Sequence, residues 1–166
     1  HAHCETYLQD SISKQYTLPL EKRLKNTVRE NPTEMNMFYS LRDSMTDTVT
    51  NIYGIEIPLH SRTLGLAGTA DLFCEWEGRP TIVDFKTSRR RKKKQWIDNY
   101  FLQGTAYATM AEELYGMEIP QIVIMIANPD DSHPQIFLDN PSNWREKLLT
   151  MKEEYDSVRV LNEKLF

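Results

Sequence analysis

Apolar and polar positions follow two different periods along this chain, and the switches between them mark its elements. Residues 1 to about 15 read as a helix, with Leu8 and Ile12 on one side. Residues 16 to 30 carry no clear period and receive no assignment. Asn31-Pro32 has the form of a helix start, with Asn at the cap, Pro in the first turn and Glu34 three residues after the cap. Phe38, Leu41, Met45, Val49 and Ile52 then recur at spacings of three and four, which predicts a core-facing helical stripe.

From Ile52 the period changes. "IYGIEIPLHSR" alternates loosely, and "LGLAGTADLFCEW" and "PTIVDFKT" are two strand-like runs joined by Glu77-Gly78-Arg79. "IDNYFLQGTAYATMAEELYG" returns to helical spacing and ends at Gly116, a C-cap residue. "PQIVIMIAN" is short and almost wholly apolar, as a strand buried on both faces is. A short strand over Gln135 to Leu138 follows. The last segment reads as an amphipathic helix with Trp144, Leu148, Met151, Tyr155 and Val158 inward. This order predicts an α/β (α+β) fold, a small central mixed β-sheet flanked by helices. The 166 residues are read as one domain, with a segment expected upstream because His1 opens inside a helical pattern.

Composition narrows the class. No apolar run approaches the ~20 residues that span a bilayer, so no membrane partner is expected. Cys4 and Cys74 lie far apart and match no paired-cysteine spacing, which excludes a four-cysteine iron–sulfur cluster or zinc site from this stretch. They leave room for at most one disulfide, and a reducing intracellular compartment fits them best: cytoplasm, a phage-infected cell or an organelle matrix. The net charge of −4 makes the six consecutive cations Arg89, Arg90, Arg91, Lys92, Lys93 and Lys94 a local concentration, suited to a phosphate track.

That run follows the chemically richest stretch. In an antiparallel hairpin, opposite residues share a face. A turn at Gly78-Arg79 sets Asp71 opposite Lys86; one at Glu77-Gly78 sets it opposite Asp84. Either two-residue turn gathers Asp71, Asp84 and Lys86 on one face and turns Val83 and Phe85 to the other. Two carboxylates so close repel unless a cation compensates them, and oxygen donors of this kind suit Mg²⁺ or Mn²⁺. Lys86 is then placed to orient or help deprotonate a water, or to hold charge developing on phosphorus. Asp-x-Lys alone is an ordinary salt-bridging strand face. Three further features change the balance: His1 and Glu5 at helical spacing, Gln103 and Tyr107 likewise, and the basic run tethered to the candidate strand.

His-x-x-x-Glu, Gly-x-x-Asp, an apolar-Asp-x-Lys-Thr strand and Gln-x-x-x-Tyr, in that order from His1 to Tyr107, resemble the PD-(D/E)xK nuclease superfamily. More narrowly, they resemble its RecB-like exonuclease branch, which includes mitochondrial genome maintenance exonuclease and phage exonucleases. The resemblance implies a restriction-endonuclease-like core. It makes His1, Asp71, Asp84 and the main-chain carbonyl of Phe85 the ligands of one or two Mg²⁺ or Mn²⁺ ions, and Lys86 the catalytic lysine. Glu5, Gln103 and Tyr107 would complete the catalytic set, with Thr87 beside the phosphate; Glu56, on the preceding strand, is left outside it. Ser88, the six cations, Trp96 and Tyr100 would contact nucleic acid, with Phe101 assigned to the core. The implied activity is metal-dependent hydrolysis of DNA at single-stranded ends, in replication, repair or recombination. Any unwinding would fall to a helicase or replication partner. The competing readings are a structure-selective endonuclease of the same superfamily, a non-catalytic nucleic-acid-binding module, and a domain whose basic loop binds an acidic protein.

Overall fold

The computed structural model describes Cys4, Glu5, Leu8 and residues 32–163. Cys4, Glu5 and Leu8 are helical, and Leu8 is buried as its periodicity predicts. Ile12, the Asn31 cap and His1 lie outside the described residues. The elements are α1 (Pro32–Thr46), β1 (Val49–Ser61), β2 (Leu66–Trp76), β3 (Arg79–Thr87), α2 (Asp98–Tyr115), β4 (Gln121–Ala127), β5 (Gln135–Asp139) and α3 (Arg145–Glu163).

The strands form one five-stranded sheet in the order β1-β2-β3-β4-β5. Only the β3–β4 pair is parallel, with α2 as its crossover, so the sheet is mixed. β4 is buried along its whole length, as its unbroken apolar run requires. One face of the sheet packs Leu72, Cys74, Val83, Phe85, Val123 and Met125 against Leu8 and the Phe38, Leu41 and Met45 stripe of α1. The other packs Phe73, Ile82, Ile122, Ile124 and Ile126 against α2, with Phe101 fully buried there. Cys4 and Cys74 are free thiols in the α1-side core, where burial raises them to about 11 and about 12, far from the reactive thiolate range.

Two expectations are corrected. Val49 and Ile52 do not continue the α1 stripe, because the helix ends at Thr46 and both residues lie in β1. β-branched residues fit the pleated surface better than a helix, and both still pack on the α1-side core. The inward face predicted for α3 also fails: Met151, Tyr155 and Val158 are 50%, 66% and 59% exposed. Because α2 already covers the sheet, α3 packs outside it, and its contacts with the core are made near its start. There Leu148 joins the α2-side core, Trp144 stacks on Phe101 with centroids 5.2 Å apart, and Arg145 pairs with Glu112. Among the described residues no helix is long and apolar enough to cross a membrane.

Candidate active site

The β2–β3 turn fixes the site. Glu77 and Gly78 both have positive φ, 51° and 74°, the twist a two-residue hairpin needs. The ladder pairs Trp76 with Arg79 and Leu72 with Val83, which selects the register centred on Glu77-Gly78. One rung further, Asp71 comes alongside Asp84, and its Oδ2 accepts the Phe85 amide at 2.7 Å. Val83 and Phe85 face α1, so Asp84 and Lys86, which alternate with them, face α2.

A chain of contacts then crosses from sheet to helix. Lys86 Nζ donates to Asp84 Oδ1 at 2.9 Å and to Gln103 Oε1 at 3.1 Å. Gln103 Nε2 donates to the Tyr107 hydroxyl at 3.2 Å. Gln103 and Tyr107, one turn apart on α2, thus meet the Asp-x-Lys strand through the lysine. Gly68 shows why the Gly-x-x-Asp approach is bare: a Cβ there would stand 2.8 Å from Tyr107 Cε1. The ammonium also sits 5.4 Å from the ring centre of half-buried Tyr100.

Burial dominates the acids' electrostatics. Asp84 is 2% exposed, and desolvation pushes its carboxyl up to about 6; the Lys86 hydrogen bond and charge oppose this, and the Asp71 charge adds to it. Asp71 is raised by desolvation, against the Phe85 hydrogen bond and the Lys86 charge. Asp84 Oδ2 lies 2.8 Å from Lys86 Nζ as an ion pair yet accepts no hydrogen bond, so this buried acceptor keeps unused coordinating capacity. Adjacent carboxylates, one with such an oxygen, fit a hard divalent cation. Among the described residues no set of three His, Cys, Asp or Glu side chains gathers to hold a metal alone. The donors that the described residues bring together are the carboxylates of Asp71 and Asp84; His1 lies outside the described residues.

Glu56 is the acid that sequence reasoning set aside. It stands in β1 between Ile55, paired with Leu72, and Ile57, paired with Ala70, which brings it across from Asp71. Its φ of 47° is left-handed and strained for a non-glycine. Desolvation raises its carboxyl, with Asp71 and then Glu5 adding to the shift. Glu5 therefore lies in the same acidic surroundings, half-buried. No spacing signal announces a left-handed residue inside a strand.

The basic segment leaves the end of β3 and is held against β4 and β5. Exposed Thr87 closes the strand. Ser88 serves the backbone: its amide donates to the Ala127 carbonyl, its hydroxyl to the Arg90 carbonyl, and its own carbonyl accepts from Asn128 Nδ2. Gln135 clamps Lys92 from both sides, accepting its amide at 2.7 Å and donating to its carbonyl at 2.9 Å. Arg91 pairs with Asp131 at 2.7 Å and Lys94 with Asp139 at 3.0 Å. Asn128, Asp131, Gln135 and Asp139 are ordinary polar residues in sequence, and only the fold reveals this work. Trp96 is 57% exposed, with the Lys93 ammonium 5.2 Å from its ring centre. A hollow of about 200 Å³ lined by Met37, Thr87, Ser88, Arg89 and Pro129 adjoins the end of β3, whereas a larger one of about 480 Å³ runs along α3 and includes neither Asp71 nor Asp84.

A mixed sheet whose hairpin presents two acids and a lysine to a Gln-x-x-x-Tyr helix defines a nuclease class. The chain belongs to the PD-(D/E)XK nuclease superfamily, whose model matches residues 4–162. Members of that superfamily generally use divalent metal ions, typically Mg²⁺ or Mn²⁺. Its fold is similar to the crystal structure of a Eubacterium rectale protein provisionally described as an exonuclease, at 13% identity and a TM-score of 0.55. The match covers 96% of this chain and 64% of that one, so the chain spans less than two thirds of that protein's length. No curated protein sequence matches the chain.

Proposed function

We propose that this chain is a metal-dependent DNA exonuclease of the RecB-like branch, cleaving phosphodiester bonds at single-stranded ends in replication, repair or recombination. The observation that carries the reading is the contact chain Asp84–Lys86–Gln103–Tyr107 beside Asp71. Asp71, Asp84 and the Phe85 carbonyl would hold one or two divalent cations, Mg²⁺ or Mn²⁺, with His1 as a further ligand. A cation bound there supplies Lewis acidity, lowering the pKa of water and polarising the phosphoryl group.

The chain's own residues supply the rest. Lys86 has three N–H donors; two are committed to Asp84 and Gln103, and the third can reach the attacking water or a non-bridging phosphoryl oxygen. Gln103, fixed by Tyr107, keeps the ammonium from swinging onto either acid alone. A water oxygen forms the new bond to phosphorus, the bond to the leaving sugar oxygen breaks, and that oxygen takes up a proton. The basic segment lines the approach and guides the DNA backbone by charge. Unwinding of duplex would be the task of a helicase or replication partner.

Digestion of end-labelled linear and covalently closed circular single-stranded DNA with Mn²⁺ tests this reading. An exonuclease degrades the linear strand and leaves the circle intact. Cleaved circles would replace the exonuclease reading with an endonuclease of the same superfamily, and no cleavage of either would reject both.

A further inference from the structure

The six cations are not equivalent in the fold, and their division indicates what the site holds. Arg91 and Lys94 spend their charge on Asp131 and Asp139, and Lys94 also donates to the Leu138 carbonyl. Burial pushes Asp139 up, yet hydrogen bonds from Lys94, Asn143 and the Asn140 amide outweigh it and hold the carboxyl low. Gln135 fixes the Lys92 backbone between these two pairs, and Asn128 and Ala127 fix Ser88. The segment is therefore preassembled, with both ends and its middle tied to β4 and β5. Arg89 and Arg90 are exposed and have no acidic partner among the described residues.

Trp96 continues this arrangement. It closes a short 3₁₀ turn over Lys94–Trp96, just before α2. Lys93 covers one side of its indole, which leaves aromatic surface to solvent. Four residues further along the chain, Tyr100 sets its ring centre 5.4 Å from the Lys86 ammonium, so the segment that carries Trp96 runs directly into the site. An exposed aromatic beside unneutralised arginines matches a strand whose bases are unpaired, because a duplex hides its base faces.

We infer that Arg89, Arg90 and Trp96 form a single-stranded DNA subsite, with phosphates on the two arginines and a base stacked on the indole, while Arg91, Lys94 and Gln135 hold the segment in place. This rests on the nuclease reading above and assigns the residues that would hold its unpaired strand.

Binding is measured on the full chain in EDTA, where nothing is cleaved, using oligo-dT and an abasic oligomer with the same number of phosphates. Wild type should prefer oligo-dT by at least about fivefold, since stacking contributes that much or more per base. Trp96→Ala should erase the preference and Trp96→Phe should keep most of it. Arg89→Gln with Arg90→Gln should weaken both oligomers alike and flatten the log–log salt slope by about 1.4, from ~0.7 per phosphate on single strands. Arg91→Gln or Lys94→Gln should leave that slope unchanged. A preference surviving in Trp96→Ala, or a slope flattened as much by Arg91→Gln as by loss of one of the other arginines, overturns the subsite. If Lys86-dependent cleavage stands while these predictions fail, only the subsite is rejected; loss of that cleavage in the wild type rejects the nuclease reading itself.

Discussion

Asp84 and Lys86 hold each other in opposing states. Burial favours the neutral acid, whereas the ammonium at 2.8 Å favours the carboxylate, and burial wins by enough to set the carboxyl at about 6. An unfolded Asp titrates near ~3.9, so between these two values the folded chain binds the extra proton and stability falls as pH rises. Asp84→Asn should therefore raise the metal-free melting temperature at pH 8 and have no such effect at pH 4. The gain should be at most about 3 kcal/mol, the worth of a two-unit shift in which the Lys86 attraction is already counted. A variant destabilised equally at both pH values would contradict the sign. Gln103→Ala leaves the ammonium with one anchor and should lower kcat by about 10–100-fold with a smaller change in KM; an unchanged kcat would remove Gln103 from the mechanism. Asp71, Asp84, Lys86, Gln103 and Tyr107 were legible in sequence because strand alternation and helical spacing bring like-facing residues together. Glu56 was not, since its place depends on a local φ that neighbours, not composition, impose.

At the scale of elements, the turn decides the site and the helices hold it. Sequence left two hairpin registers open, and the positive φ of Glu77 and Gly78 selects one. The almost wholly apolar β4 and the Gly116 cap were readable, as runs and end signals are local. The end of α1 was not, because Val49 and Ile52 satisfy helical spacing while pairing with β2 stabilises them as strand. Nor was the fate of α3: amphipathicity shows that a helix has an apolar face, and says nothing of how much of it finds cover. Gly104 lets α2 press on β4, since a Cβ there would stand 2.5 Å from Ile122 Cγ2. Gly104→Ala should cost about 1–3 kcal/mol by denaturant midpoint despite alanine's better helix propensity. Adding Ile122→Ala should produce less than the sum of the two losses. Full additivity would mean that the two residues do not press on each other.

Over the whole molecule, an acidic chain concentrates positive charge on one segment next to its buried acids. The −4 net charge keeps nonspecific attraction low elsewhere, so substrate affinity should be carried by that segment and should weaken steeply with salt. Composition revealed the cations but not the four residues of the β4–β5 region that hold them, because those contacts span about forty positions of sequence. The most direct test of the central claim is single-turnover cleavage of linear single-stranded DNA with saturating Mn²⁺ by wild type and Lys86→Ala, with melting recorded for both. Cleavage should be abolished in Lys86→Ala while the chain still melts cooperatively as a folded protein, at a lower temperature because buried Asp84 loses its counter-charge. Undiminished cleavage by the variant would contradict the assignment of this strand and helix as the hydrolytic centre.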